Sequence, residues 1–192
     1  GKEIDLPFDN PKSKMLMMEL MKLCNLKDND GVILDFFSGS ATTAHAVMQL
    51  NAADGGHRQF IMVQLPEGTA EQSDAYKAGY STICDIGEER IRRAGKKIRE
   101  ESPLTTGDLD IGFRVFRVDT TNMEDVYYRP ADYNQGQMEL FANNIKADRT
   151  PEDLLFQVML DLGVLLSSKI EETTIAGKKV FSVAEGYPIA CF

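Results

Sequence analysis

A short apolar run followed by a turn of small residues constrains this chain more than any other feature. Val32–Phe36 is a short apolar run that contains one charged residue, Asp35, and it predicts a strand that is buried on both faces of a parallel sheet. The small residues Ser38–Ala41 follow, and a helical pattern then covers residues 42–50. A second apolar run, Gln59–Leu65, stops at Pro66. This order predicts a right-handed βαβ unit and therefore an α/β fold.

Two further helices are predicted around this unit. Ser13 has the side chain of an N-cap, and apolar residues recur at helical spacing from there to Cys24. A charge-rich helix is predicted from Ser81 to Glu100. The cations between Arg90 and Arg99 form either a phosphate-contacting face or a solvated face whose positive charge suits the C-terminal end of the helix dipole, and we favour the second interpretation.

The pattern changes near Ser102-Pro103, where we expect a domain boundary. Gly112–Val118 alternates apolar and basic residues, which predicts a half-exposed strand. Residues 120–150 are polar and poorly periodic, so loops are expected there. Thr150, followed by proline and two acidic residues, predicts the start of a helix.

Short strands are predicted over the last part of the chain, at Thr173–Ile175, at Lys179–Val183 and from Pro188 onwards. They predict a small antiparallel meander, so residues 103–192 are expected to form a smaller α+β region. The chain ends inside an apolar run at Cys191-Phe192, and we therefore expect that its natural sequence continues.

Composition narrows the functional classes. The 192 residues carry a formal net charge of −9, which argues against a protein that grips nucleic acid over its whole surface. The sequence contains neither an apolar run of about 18 residues, as a membrane helix requires, nor a signal-peptide pattern. Its three cysteines and two histidines lack the spacing of a disulfide framework or a metal site. We expect a cytoplasmic protein.

The turn after the first strand is the candidate binding site. Backbone N–H groups at the start of the following helix favour a carboxylate, and Asp35 could accept a hydrogen bond from an amine. Gln64 or Glu67, after the second strand, could bind a ribose hydroxyl. A ligand with all three groups suggests S-adenosylmethionine. The alternative is a turn of small residues that serves only strand–helix packing.

Three segments, Phe8–Ser13, Val32–Val47 and Arg58–Glu67, resemble the modification subunit of type III restriction-modification systems. That family consists of adenine-specific DNA methyltransferases. The resemblance extends, through Tyr76–Tyr80 and the segment that leads to Gly177, over nearly the whole chain. It implies a Rossmann-like, S-adenosylmethionine-dependent methyltransferase sheet, present in part, within residues 1–102.

The resemblance also implies the cofactor-binding residues. The methionine end of the cofactor would be lined by Asp35, Phe36, Phe37, Ser38, Gly39, Thr42 and Thr43. A second cofactor segment would consist of Pro11, Lys12 and Ser13. Gln64 would lie near the ribose.

The sequence departs from the family at two of these positions. The family's second glycine is Ala41 here, and Ser13 replaces a proline. If position 41 requires a positive φ, alanine would strain the turn, and its methyl group could crowd the cofactor.

The family's catalytic motif, Asp-Pro-Pro-Tyr, which holds a flipped adenine, does not occur in this sequence, and the target-recognition region is also missing. The chain is therefore expected to be the C-terminal portion of a DNA adenine-N6 methyltransferase, with no catalytic residue or metal ligand of its own. Its implied partners are DNA, through the full-length subunit, and the restriction subunit.

Two other functions stay open. The chain could be an interaction module that has lost cofactor binding and docks the restriction subunit or a second copy of itself. It could also be an unrelated nucleotide-binding α/β protein, although the sequence lacks Gly-x-x-x-x-Gly-Lys and Gly-x-Gly-x-x-Gly.

Overall fold

The structure is a computed structural model that describes residues 4–8, 11–24, 30–103, 106–125 and 144–192. The chain divides into two compact units, Gly1–Phe113 and Arg114–Phe192. The division predicted at residue 102, between a cofactor-binding part and a C-terminal region, stays a prediction. None of the helices in the described ranges is both long enough and apolar enough to cross a membrane.

The first unit contains the predicted βαβ arrangement. Strand β1, Val32–Asp35, pairs in parallel with β2, Gln59–Met62, and the register sets Val32 opposite Gln59 and Asp35 opposite Met62. Helix α2, Thr42–Asp54, connects the two strands. The strand–turn–helix–strand prediction is confirmed, with α2 one turn longer than the pattern indicated.

Helix α2 is the central element of this unit. Helix α1, Lys14–Leu23, and helix α4, Ile83–Glu101, both pack against it, and Ser13 caps α1 as predicted. A short helix α3, Asp74–Lys77, precedes α4. The buried residues of α2 are Thr42, Thr43, Ala44, His45, Ala46, Val47, Met48, Leu50 and Asn51. A helix buried on nearly every side fixes the position of the turn that precedes it.

The connection from α2 to β2 is closed by a buried hydrogen-bond network. The Asn51 amide donates to the Arg58 carbonyl at 2.9 Å, and its oxygen accepts from the Arg58 backbone N–H at 3.2 Å. The guanidinium of Arg58 is buried and pairs with Asp54 at 2.8 Å. This network satisfies backbone groups that have no strand partner.

Among the described residues of the first unit, the helices cover one face of the two-stranded sheet. Ile33, Phe60 and Met62 pack under the helices, whereas Val32 (58% exposed) and Ile61 (50% exposed) point to the other face. The prediction that the first strand is buried on both faces is wrong for the described residues, because all the helices that pack on the sheet cover the same side chains. Parallel sheets are ordinarily covered on both faces.

The second unit contains the predicted helix and meander. Helix α5, Pro151–Asp161, starts with a capping box between Thr150 and Asp153. Strands β3 (Ile170–Ile175), β4 (Lys178–Val183) and β5 (Ile189–Cys191) form an antiparallel sheet in that order. Leu155, Met159, Phe181 and Val183 form its core. The helix and meander predictions are confirmed.

The strand predicted at Gly112–Val118 is not a strand in the structure. Arg114 instead donates from its guanidinium to the carbonyls of Leu166 and Ser168, and Phe116 packs edge-on against Phe156 at 4.8 Å. The alternating side chains thus make their contacts although this segment pairs with no β-strand among the described residues. Of the predicted loop region, residues 126–143 lie outside the described residues.

The cations of α4 are paired with neighbouring groups. Arg92 and Arg93 bind Glu88 and Glu89 at 2.8 Å, and Arg99 donates to the Leu109 carbonyl at 2.7 Å. Lys96 and Lys97 lie 3.7 Å from Glu100 and Glu101, respectively. This pairing at helical spacing is typical of a solvated helix face, the interpretation that the sequence favoured.

Replacing Asn51 with leucine tests the α2–β2 connection. Asn51→Leu removes the hydrogen-bond partner of the buried N–H and C=O of Arg58, so it is expected to lower the free energy of unfolding by about 2–4 kcal/mol. Denaturant unfolding measures this loss. The control Asn144→Leu removes an exposed amide and is expected to change stability by less than about 0.5 kcal/mol. Equal effects of the two substitutions would contradict the assignment.

Asp54 makes folding stability depend on pH. Its hydrogen bonds and charge pairing with Arg58 lower the pKa of this carboxyl in the folded protein. The stabilisation is therefore present above the ordinary aspartate pKa of about 3.9 and is lost as the pH falls through the lowered value. Unfolding curves of the wild type and Asp54→Asn are expected to differ at pH 7 and to converge towards pH 2. A constant difference across this range would contradict the pairing.

Candidate functional site

The turn between β1 and α2 bends through two left-handed residues. Gly39 has φ +51°, and Ala41, the N-cap residue of α2, has φ +55°. The Ser38 N–H donates to the Val63 carbonyl at 3.2 Å, which ties the turn to the residue after β2. The Ala41 N–H donates back to the Ser38 carbonyl at 2.8 Å. The turn is thus closed on itself and attached to the neighbouring strand.

Asp35, the last residue of β1, is oriented by two donors. The Thr43 hydroxyl donates to one carboxylate oxygen at 2.6 Å, and the Phe37 N–H donates to the other at 3.3 Å. Two donors fix the plane of the carboxylate, while each oxygen keeps a lone pair for another donor. Asp35 is therefore a preoriented acceptor at the carboxyl end of the strand.

Groups from outside the turn hold it in place. The Gly39 N–H donates to the Gln64 side-chain oxygen at 2.8 Å, and Arg90 of α4 donates to the Ser40 hydroxyl at 3.1 Å. A Cβ on Gly87 of α4 would lie 3.2 Å from the Gly39 carbonyl oxygen, so the missing side chain permits this close approach. The turn is enclosed by the end of β2 on one side and by α4 on the other.

The electrostatics of the turn suit a ligand with charges of both signs. The N-cap residue of α2 is Ala41, whose side chain has no acceptor for the first N–H groups of the helix, and the helix dipole makes this end positive. Asp35 places a negative charge beside it. Among the residues that the structure describes, no three His, Cys, Asp or Glu side chains are grouped as around a metal ion.

The structure brings most of the predicted cofactor residues together. Residues 35–39, Thr42 and Thr43 share the turn, and Gln64 reaches it through its side chain. Phe36 and Phe37 are 64% and 80% exposed, which is unusual for large aromatic residues. Thr42 and Thr43 are buried; Thr43 binds Asp35, and the Thr42 hydroxyl lies 3.5 Å from that of Ser40.

The other predicted cofactor residues lie apart from these hydrogen bonds. Pro11, Lys12 and Ser13 are exposed, and Ser13 caps α1, accepting from the Leu16 N–H at 3.4 Å. Glu67 is exposed, and its backbone carbonyl accepts from the Ile83 N–H at 3.0 Å. Their predicted roles toward the cofactor stay predictions.

Three residues of the site were not predicted from the sequence. Arg90 and Gly87 come from a helix that follows the turn by more than 40 residues. Phe8 packs near Gly39, since a Cβ there would lie 3.5 Å from its ring. Gly87 carried a signal, because glycine inside a helix usually has a packing reason. Nothing local in the sequence distinguished Arg90 from the other cations of its helix.

Position 41 has the positive φ on which the expected strain depends. Ala41 itself is only 2% exposed and belongs to the core cluster with Ala44 and Ile86. Its methyl group is thus packed inside the protein. The strain of a left-handed alanine, about 1–2 kcal/mol, is opposed by about 0.8 kcal/mol from burying the methyl group and by the lower chain entropy of alanine than of glycine in the unfolded state.

Sequence comparison identifies relatives of this chain. The Mod subunit of the EcoP15I type III restriction-modification enzyme from Escherichia coli is 36% identical over 180 residues, which cover 92% of this chain and 25% of that protein. The StyLTI Mod subunit from Salmonella typhimurium is 47% identical over 120 residues, or 62% of this chain and 18% of that subunit. This chain is a homologue of type III Mod subunits.

A further relative of this chain is named as a type II methyltransferase. The type II methyltransferase M.KpnI from Klebsiella pneumoniae is 42% identical over 84 residues, which cover 44% of this chain and 20% of that enzyme. The matched regions thus span a quarter or less of each of these relatives. No protein-family model matches the chain.

Substitutions at Ala41 test the balance of strain and packing. Ala41→Gly is expected to change the free energy of unfolding by less than about 1 kcal/mol, because the opposing effects nearly cancel. Ala41→Val adds a β-branched side chain at a positive φ and is expected to cost more than about 2 kcal/mol. Thermal and denaturant unfolding measure both. A valine variant as stable as the wild type would contradict the left-handed conformation.

Proposed function

We propose that this chain is the S-adenosylmethionine-binding part of a DNA adenine-N6 methyltransferase. The observation that carries the proposal is the position of a preoriented Asp35 carboxylate beside the amide-rich start of α2. An α-amino acid group carries an ammonium and a carboxylate next to each other. A carboxylate near the turn and an ammonium on Asp35 would match this arrangement.

The predicted residues of the turn and of its two flanking elements have distinct roles in this proposal. Asp35 would accept from the cofactor ammonium, and the N–H groups at the start of α2 would receive its carboxylate. The exposed rings of Phe36 and Phe37 would lose solvent contact when the cofactor binds. Thr42 and Thr43 would act from within, since both are buried and Thr43 orients Asp35. The bound cofactor would supply an activated methyl group, which the methyltransferase would position against the adenine amine.

The proposal includes a longer polypeptide. The sequence lacks Asp-Pro-Pro-Tyr, and the matched regions cover a quarter or less of the relatives' lengths. Val32, Leu34 and Ile61 stay exposed on the sheet face that the described residues of the first unit do not cover, which supports the same conclusion, because a two-stranded sheet is marginal by itself. We propose that a complete Rossmann-like sheet forms in the full-length subunit and that this chain alone does not methylate DNA. A cytoplasmic location stays a prediction.

The second unit supports an alternative function in assembly. It exposes several large apolar side chains, among them Leu165, Tyr187 and Ile189. Such side chains are candidates for a protein interface when they lie together. In this alternative the chain docks the restriction subunit or a second copy of itself and binds no cofactor. Light scattering and a pull-down with the restriction subunit would detect these contacts, and a monomer that ignores that subunit would exclude them.

Binding of S-adenosylhomocysteine tests the proposed function. Calorimetric titration of the full-length subunit is expected to show binding, and Asp35→Asn is expected to weaken it about 10- to 100-fold, because a charge-assisted hydrogen bond is lost. The control Asp161→Asn neutralises an exposed aspartate of the second unit and should leave affinity unchanged. No binding to the wild type, or equal affinities of the two variants, would contradict the proposal.

A further inference from the structure

The side chain of Gln64 is engaged within the protein. Its oxygen accepts from the Gly39 N–H at 2.8 Å, and its NH₂ group donates to the Leu65 carbonyl at 3.3 Å. The residues that form the first bond are 25 positions apart, because Gly39 lies in the turn before α2 and Gln64 follows β2. One lone pair of the oxygen that a ribose hydroxyl would need as its acceptor is therefore used to hold the turn, and this bond fixes the direction of the side chain.

The backbone around Gln64 is fixed by its neighbours. The Val63 N–H donates to the Asp35 carbonyl at 2.8 Å, and the Ser38 N–H donates to the Val63 carbonyl. The Cys84 thiol at the start of α4 lies 3.6 Å from the Gln64 carbonyl oxygen. Gln64 thus reaches Gly39 from a segment that is tied to β1, to the turn and to α4. Such a rigid base lets one amide group set the position of another.

The bond matters because of where Gly39 lies. With φ at +51°, its peptide groups have orientations that few other residues adopt, and a small rotation would turn the neighbouring N–H groups of the turn away from a ligand. On another side, α4 approaches the Gly39 carbonyl closely at Gly87, because glycine has no Cβ that would crowd the carbonyl oxygen. Gln64 and α4 therefore restrain the two peptide groups on either side of the Gly39 Cα.

The amide side chain also suits the charge of the proposed ligand. A glutamate at this position would accept the same hydrogen bond but would place a negative charge beside the N–H groups that receive a carboxylate. Glutamine accepts without that charge. Glutamine at position 64 is therefore suited to hold the turn without repelling a ligand carboxylate.

We infer that Gln64 is a positioning residue, which fixes the Gly39 peptide for the amino-acid end of the cofactor and does not contact the ribose. This inference rests on the proposed function and reassigns one residue of the same site. It predicts that the effect of Gln64 depends on whether the ligand carries an amino-acid tail.

Two ligands separate the roles. S-Adenosylhomocysteine has both the ribose and the amino-acid tail, whereas 5′-methylthioadenosine has the ribose and a methyl group in place of the tail. In calorimetric titrations of the full-length subunit, Gln64→Leu is expected to weaken the first ligand about tenfold and to leave the second within about twofold. The matched control, Gln72→Leu, removes an exposed amide and should alter neither affinity. Equal losses for both ligands would overturn the inference in favour of a ribose contact.

A second measurement does not depend on the cofactor. Hydrogen exchange of the Gly39 amide is expected to become faster in Gln64→Leu and to stay slow in Gln64→Glu, which keeps the acceptor. Gln64→Glu should nevertheless bind S-adenosylhomocysteine more weakly than the wild type. Unchanged exchange in Gln64→Leu would overturn the inference even if the cofactor binds. A wild type that binds neither nucleoside, with Gly39 exchange still responding to Gln64, would overturn the proposed function while the contact itself holds.

Discussion

Burial of α2 is the constraint on which the first unit depends. The helix packs against α1, α4 and β2, and nine of its 13 residues are buried. At its C-terminal end Asn51 and Arg58 close the return to β2. At its N-terminal end, the buried helix fixes the position of the turn that leads into it. The candidate site is therefore a consequence of core packing, because the same burial that stabilises the unit also holds the amides of the turn in place.

The turn is stiffened by residues far from it in sequence. Asp35 comes from β1, Gln64 from the end of β2, and Gly87 and Arg90 from α4. Each restrains a different peptide or hydroxyl of residues 37–43. This explains how one stretch can combine two left-handed residues with a well-defined shape: the surrounding elements oppose the relaxation that strain would otherwise cause.

Local patterns predicted the elements well and their surroundings less well. Ser13 and Thr150 have side chains that cap helices wherever they precede an apolar stripe, so both helix starts were predictable. The apolar runs of β1 and β2 and the turn between them identified most residues of the site. Arg90 could not be found in this way, because its burial depends on how α4 packs against the turn. The positive φ at Ala41 was foreseen only as a condition, since alanine gives no sign of it.

The errors concern partners, which a sequence pattern does not specify. Gly112–Val118 has the alternation of a strand, but Arg114 and Phe116 find carbonyl and aromatic partners that satisfy them outside a ladder. Val32–Phe36 has the composition of a strand covered twice, although the described residues cover it once. In both segments the sequence pattern is correct about which side chains are apolar or charged. It does not specify which groups those side chains contact in the folded protein.

The exposed apolar side chains of β1 and β2 have a practical consequence for handling the polypeptide. In the described part of the first unit, Val32, Leu34 and Ile61 are exposed on the strands, and Phe36 and Phe37 are exposed in the turn that follows β1. If nothing covers these side chains, the polypeptide should self-associate through them as its concentration rises. Mild detergent or a fused helical partner should keep it monomeric.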